Sequence, residues 1–213
     1  MIDTLIQSTL ETLYMVFTSA FFAFLIGLPM AIVLFVTRQG GLRENIVIFN
    51  IFDFVINIFR SIPFIILLIL ILPLTTLIVG KSIGSTAAIV PLTFASAPFM
   101  ARMFEGSFLK IDRQIIEAAK SMGSTNSEII FKVLIPEAMP YLVSDVTITI
   151  INLIGYSAMA GSVGGGGIGS MAIRFGLYNY KIDYLIAAVV TIIILVQLIQ
   201  IFGTFVSNKI NKR

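Results

Sequence analysis

Five stretches of this chain run for 20 residues or more without a charged side chain: 12–37, 61–80, 82–101, 146–173 and 184–208. A helix rises 1.5 Å per residue, so about 20 apolar residues cover the ~30 Å hydrocarbon core of a bilayer. In that core every backbone N–H and C=O needs a partner within the protein, which favours helices for runs of this length. Composition agrees. Hydrophobic residues make up 58% of the 213, charged residues only 12%, and the mean hydropathy is +1.03. That charged share is about half the usual one for a soluble domain. The expected fold class is an all-α integral membrane protein. A single transmembrane domain is expected over 1–213, with spans at about 12–37, 61–80, 83–103, 142–162 and 184–207.

A sixth apolar stretch, Ile46–Phe59, is too short to span, at about 21 Å. Asn50, Asp53, Asn57 and Arg60 fall on one helical stripe within and just beyond it. That pattern suits a helix lying in the membrane interface and running into the second span at Pro63. A sixth short span is the other reading. Five spans put the termini on opposite sides, and basic residues collect on the cytoplasmic side. With the N-terminus outside, 11 of the 14 Lys and Arg residues lie inside and only Lys81, Arg174 and Lys181 lie outside. The expected topology in the cell membrane is therefore N-out, C-in.

Several chemistries are excluded early. There is no Cys and no His, so thiolate chemistry, Cys-ligated metals and the usual neutral-pH general base are absent. Nothing supports nucleic-acid binding. Met1-Ile2-Asp3-Thr4 lacks the basic start of a signal peptide. Gly164, Gly166 and Gly169 match G-x-G-x-x-G, but they follow a span rather than a strand of a βαβ unit. No Lys completes a phosphate-binding P-loop there. Gly164–Gly167 instead reads as a flexible, close-packed turn at the outer end of span four.

One connection is long: 104–141, on the cytoplasmic face. Asp112 can cap a helix through Gln114–Met122, with Gly123 ending it. Thr125 and Glu128 form a capping box for a second helix, expected to end by Pro136. Ile111, Ile115, Ala118/Ala119 and Met122 form an apolar stripe on the first helix. Such a helix either docks in a groove on a partner or lies on the membrane surface.

Glu117-Ala118-Ala119, then Gly123 after three residues, then Val133-x-Ile135-Pro136 after nine more, resembles the EAA loop of permease subunits in binding-protein-dependent ABC importers. That family pattern has Ile and Leu where this chain has Val133 and Ile135. Arg60-Ser61-Ile62-Pro63-Phe64, Ala88–Thr93 and Gly155–Met159 with the glycines after them look like the methionine-import permeases, a minimal five-helix family. The resemblance implies a homodimer working with two copies of a cytoplasmic ATP-binding subunit. It also implies an extracytoplasmic methionine-binding protein, often a lipoprotein. ATP and Mg would be bound by the ATPase and no cofactor by this chain, which is then not an enzyme. Glu117, Ala118, Ala119, Gly123 and Pro136 would form the ATPase-coupling site.

The pore is read from the residues alone. Asn152, Tyr156 and Met159 lie on one face of span four and are candidates for the translocation path, with Met159 as a gate. Packing between helices through Gly155, Ala158 and Ser162 is the other reading. Intramembrane ionisable residues mark ion relays. Here Arg102, Glu105, Asp145 and Asp183 are expected at span ends, where side chains snorkel outward. An ATP-driven permease is therefore preferred to an ion-coupled secondary transporter or a membrane scaffold. Another amino acid or a short peptide remains an alternative cargo.

Overall fold

The computed structural model describes residues 1–211. Lys212 and Arg213, two of the basic residues assigned to the inside, lie outside the described residues. The helices are α1 (Ile2–Thr37), α2 (Ile46–Ser61), α3 (Phe64–Val79), α4 (Ser85–Phe108) and α5 (Arg113–Ser121). A continuous helix α6 (Asn126–Ser162) follows, then α7 (Gly167–Met171), which runs into the π-helical turns Ala172–Tyr178, and finally α8 (Ile182–Ile210). The four helices α1, α4, α6 and α8 are long and apolar enough to cross a membrane. The shorter α3 follows α2 across a 109° bend at Ile62 and Pro63, and the pair counts as a fifth crossing only when its two helices are taken together. The expected interfacial helix is thus a separate helix, set off from the second span by Pro63.

Helix ends differ from the charge-free runs. The first span is extended back to Ile2, and α4 continues to Phe108. Charge marks where hydrocarbon ends, whereas the helical hydrogen-bond ladder continues through the interface. The larger correction is at Pro136, where the second helix of the cytoplasmic loop was expected to stop. It continues instead into the fourth span. Ile129–Leu134 is π-helical, and the Ile135 N–H reaches back five residues to the Ile130 carbonyl. The widened turn accommodates a proline ring that would press on the preceding turn of a regular α-helix.

Helix α4 is the centre of the bundle, and most of its residues are buried. It packs most extensively on α1. A Cβ at Gly27 would stand 3.0 Å from the Ala97 carbonyl oxygen, so the two backbones nearly touch. Edge-to-face pairs Phe24–Phe104 and Phe35–Phe108, both with centroids 5.8 Å apart, extend this seam toward the cytoplasmic loop. Close approach of backbones through small residues is the usual packing device between membrane helices.

Three of the four span-end charges do not snorkel. Glu105 is 5% exposed and Asp145 4%. The Arg102 guanidinium donates to Glu105 at 2.7 Å, pairs with Asp53 of α2, and reaches Asn57 at 3.2 Å. The Ser107 hydroxyl donates to the Asp145 carboxylate at 2.6 Å. Two members of the α2 stripe therefore bind α4, while Asn50 and Arg60 stay exposed. A charge at a span end turns inward when a neighbouring helix offers a partner. Only Asp183, exposed in the first turn of α8, sits as expected.

Candidate coupling surface and translocation face

The long connection 104–141 folds much as its capping residues dictate. The Asp112 carboxylate accepts from the Gln114 N–H at 2.9 Å and opens α5. Gly123 has φ +82°, the left-handed position that ends the helix, and its N–H bonds the Lys120 carbonyl at 2.9 Å. The Ser124 N–H bonds the Ala119 carbonyl, so the last carbonyls of α5 are satisfied. The Thr125–Glu128 capping box is complete. Lys132 donates to Glu128 at 2.9 Å. That bond, followed by those from the Thr125 backbone N–H and hydroxyl, lowers the Glu128 carboxyl to about 2.

The apolar stripe of α5 divides in two. Ile111 and Ile116 are buried against Phe35, Phe108, Ile129 and Leu134, with Ala119 packed beside them. Ala118 and Met122 point the other way, and Met122 is 85% exposed. Ile116, not Ile115, anchors the helix. Glu117 is exposed and accepts from Arg113 at 3.0 Å. Of the five candidate coupling residues, Glu117, Ala118, Ala119 and Gly123 thus lie on one short helix and its end. Ala118 presents the small outward surface. Pro136 stands apart, just beyond the π-helical turn in α6.

The candidate pore residues share the face read from the sequence but have different surroundings. Tyr156 stacks on Phe64 of α3 at 4.7 Å with the rings 10° apart. Asn152 is half-buried. Met159 is 52% exposed and lines an open cavity of about 520 Å³ with Ile65, Gly155, Ala158 and residues of α7 and α8.

The glycine turn holds long-range contacts that no local pattern announces. The Glu11 carboxylate accepts from the Gly167 N–H, and the Thr12 hydroxyl oxygen from the Ile168 N–H, both at 2.9 Å. Gly164, Gly166 and Gly167 all have positive φ. A Cβ at Gly169 would stand within 2.3 Å of the Ala158 carbonyl oxygen, so α7 folds back directly on the end of α6. Close packing is as expected, and α1 clasps the turn. Glu11 had been only the boundary of an uncharged run.

A bundle of long apolar helices with an outward-facing helix–glycine turn on one connecting loop defines a multi-pass membrane protein. The chain belongs to the family of binding-protein-dependent transport system inner membrane components, whose model matches residues 23–213. It is 46% identical over 211 residues to the probable D-methionine transport system permease protein MetI of Vibrio cholerae, covering 99% of this chain and 94% of that one. It is 47% identical over 207 residues to the methionine import system permease protein MetP of Bacillus subtilis, covering 97% and 93%. A solved chain of the MetNI methionine ABC transporter in inward-facing conformations superposes with a TM-score of 0.98 at 47% identity, covering 100% and 98%. A chain of an amino acid ABC transporter crystallised with histidines shares the fold, with a TM-score of 0.81 at 19% identity.

Proposed function

We propose that this chain forms the translocation path for methionine in an ATP-driven importer, as a homodimer on two copies of a cytoplasmic ATP-binding subunit. An extracytoplasmic methionine-binding protein delivers the cargo, and ATP with Mg is held by the ATP-binding subunit. The carrying observation is the near full-length likeness to methionine permeases, supported by the outward Ala118 surface of α5 beside the Gly123 turn. Glu117, Ala118, Ala119, Gly123 and Pro136 make up the coupling loop. The chain with its ATPase and binding protein in proteoliposomes should take up labelled methionine only with ATP. Uptake that needs an ion gradient and ignores ATP would establish the secondary-transporter alternative instead.

The N-terminus is outside and the C-terminus cytoplasmic, on the 11-to-3 division of basic residues. The chain has no cysteine of its own, so Ser82→Cys, Ser127→Cys and Ser207→Cys report topology one at a time. From outside intact cells, an impermeant maleimide should label Ser82→Cys and neither of the others. Labelling of Ser127→Cys would overturn both the topology and the coupling loop.

Met159 narrows the path where two copies meet. Its flexible thioether can close a gap between helices, and its half-exposed place in an open cavity leaves a surface for the second copy. Met159→Ala should raise basal ATPase activity or methionine leak several-fold. Leak and basal activity at wild-type levels would remove it from the gate.

A further inference from the structure

A second cavity lies on the flank of α5, away from the Ala118 surface. It has a volume of about 210 Å³ and sits between the turn joining α1 to α2 and the inner side of the coupling helix. Its floor is apolar, with Phe35, Phe108 and Ile116 of the buried core. Its walls carry three cations from two separate elements: Arg38 at the end of α1, and Arg113 and Lys120 on α5. The only lining carboxylate, Glu117, is taken by Arg113 at 3.0 Å. Arg38 and Lys120 have no ion pair among the described residues. Arg113, Glu117 and Lys120 follow one another at i, i+4 and i+7, a face turned about 130° from Ala118. This cavity therefore shares Glu117 with the coupling loop but opens away from its Ala118 surface.

We propose that this cavity seats the phosphate of an anionic phospholipid headgroup from the cytoplasmic leaflet; the leaflet assignment rests on the N-out, C-in topology proposed above. Two unpaired cations around one polar mouth match a phosphate. The volume falls short of the ~300–1,000 Å³ of sites that enclose a whole ligand, and so admits a headgroup alone. The position fits as well. Arg38 is the first charge after the first span. The adjoining α2 leaves Ile51, Phe54, Val55 and Ile58 exposed, an apolar face suited to lying at headgroup depth. Basic side chains just inside a span attract anionic lipid. A lipid held here would brace the coupling helix against the end of α1, so leaflet composition would bear on transport.

The test uses the chain in complex with its ATPase, and counts retained dioleoyl phosphatidylglycerol by native mass spectrometry, with dioleoyl phosphatidylcholine as the neutral comparison. Wild type should retain phosphatidylglycerol in preference. The double variant Arg38→Gln/Lys120→Gln should hold it about 30-fold more weakly, for two basic groups removed. Arg38→Lys/Lys120→Arg should restore retention, and Lys81→Gln, at the opposite membrane face, should change nothing. Equal retention by wild type and the double variant would overturn the proposal. So would loss of ATPase recovery with retention intact, which would put an acidic side chain of the ATPase in the cavity. Displacement of the lipid by millimolar inorganic phosphate would assign the seat to free phosphate and also overturn it. Failure of methionine uptake by wild type would count against the proposed cargo and leave the lipid count standing.

Discussion

Gly123→Leu should insert normally, keep its five crossings, and fail to bring down the ATP-binding subunit. The reason is local. Gly123 sits at φ +82°, and nothing beyond its neighbours in the chain lies within 4 Å of the place a Cβ would occupy. Leucine therefore meets no clash within the chain. It meets only the left-handed penalty of about 1–2 kcal/mol that any L side chain other than Asn or Asp carries there. That penalty is relieved by unwinding the turn, which re-aims α5. Ala118→Arg acts without any internal strain, because Ala118 is exposed in this chain. If that surface closes on the ATPase, a large cation is driven into the contact, at a cost of a few kcal/mol. Each 1.4 kcal/mol is tenfold in affinity, so both variants should lose transport and at least ten- to a hundredfold in ATPase binding. Gly123→Asn is the control, since Asn tolerates the left-handed region. Wild-type uptake by Gly123→Leu with the ATPase still bound would refute the assignment of the loop.

Arg102→Met should be the most destabilising single change among the membrane charges. Arg102 is held by Asp53 and Glu105, and Glu105 is 5% exposed. Removing the cation leaves that carboxylate buried and unpaired, which typically costs about 3–5 kcal/mol. Partial exposure of the Arg102 side chain, 26%, places the expected loss near the lower figure. The unfolding midpoint of the purified chain should fall accordingly, and α2 should lose its tie to α4. Arg102→Met/Glu105→Gln should recover more than half of the loss, because the stranded charge is gone. A double variant no better than the single one would show that the Asp53 contact matters instead.

Charge-free runs mark the four long apolar helices and the short α3, because the bilayer tests each residue on its own. The same holds for the coupling loop. Asp112, Gly123, Thr125 and Glu128 act on backbone within four residues of themselves, so their effects can be read locally. What escapes is whatever depends on a second helix. Arg102, Glu105 and Asp145 look like span-end charges until α2 and α4 bring their partners across. The division of the α5 stripe depends on Phe35 and Phe108, which belong to other elements. Pro136 misleads for a different reason: a proline normally ends a helix, and the π-helical turn before it removes the conflict. The fold of this loop is therefore largely legible. The surroundings of Asn152, Tyr156 and Met159 are not, because a shared face says nothing about what each residue meets across it.

The clasp of Glu11 and Thr12 on the Gly167 turn bears on how the chain is made. The two ends of that contact are 156 residues apart. Ribosomes add about 5–20 residues per second, so the first helix is synthesised roughly 8–31 s before its partners. Through that interval Glu11 has no turn to hold, and α1 waits in the bilayer with its N-terminal end unfastened. The clasp closes only after the fourth span has crossed and the chain has doubled back. It thereby marks the completion of assembly, and a chain truncated before the glycines has no means of making it.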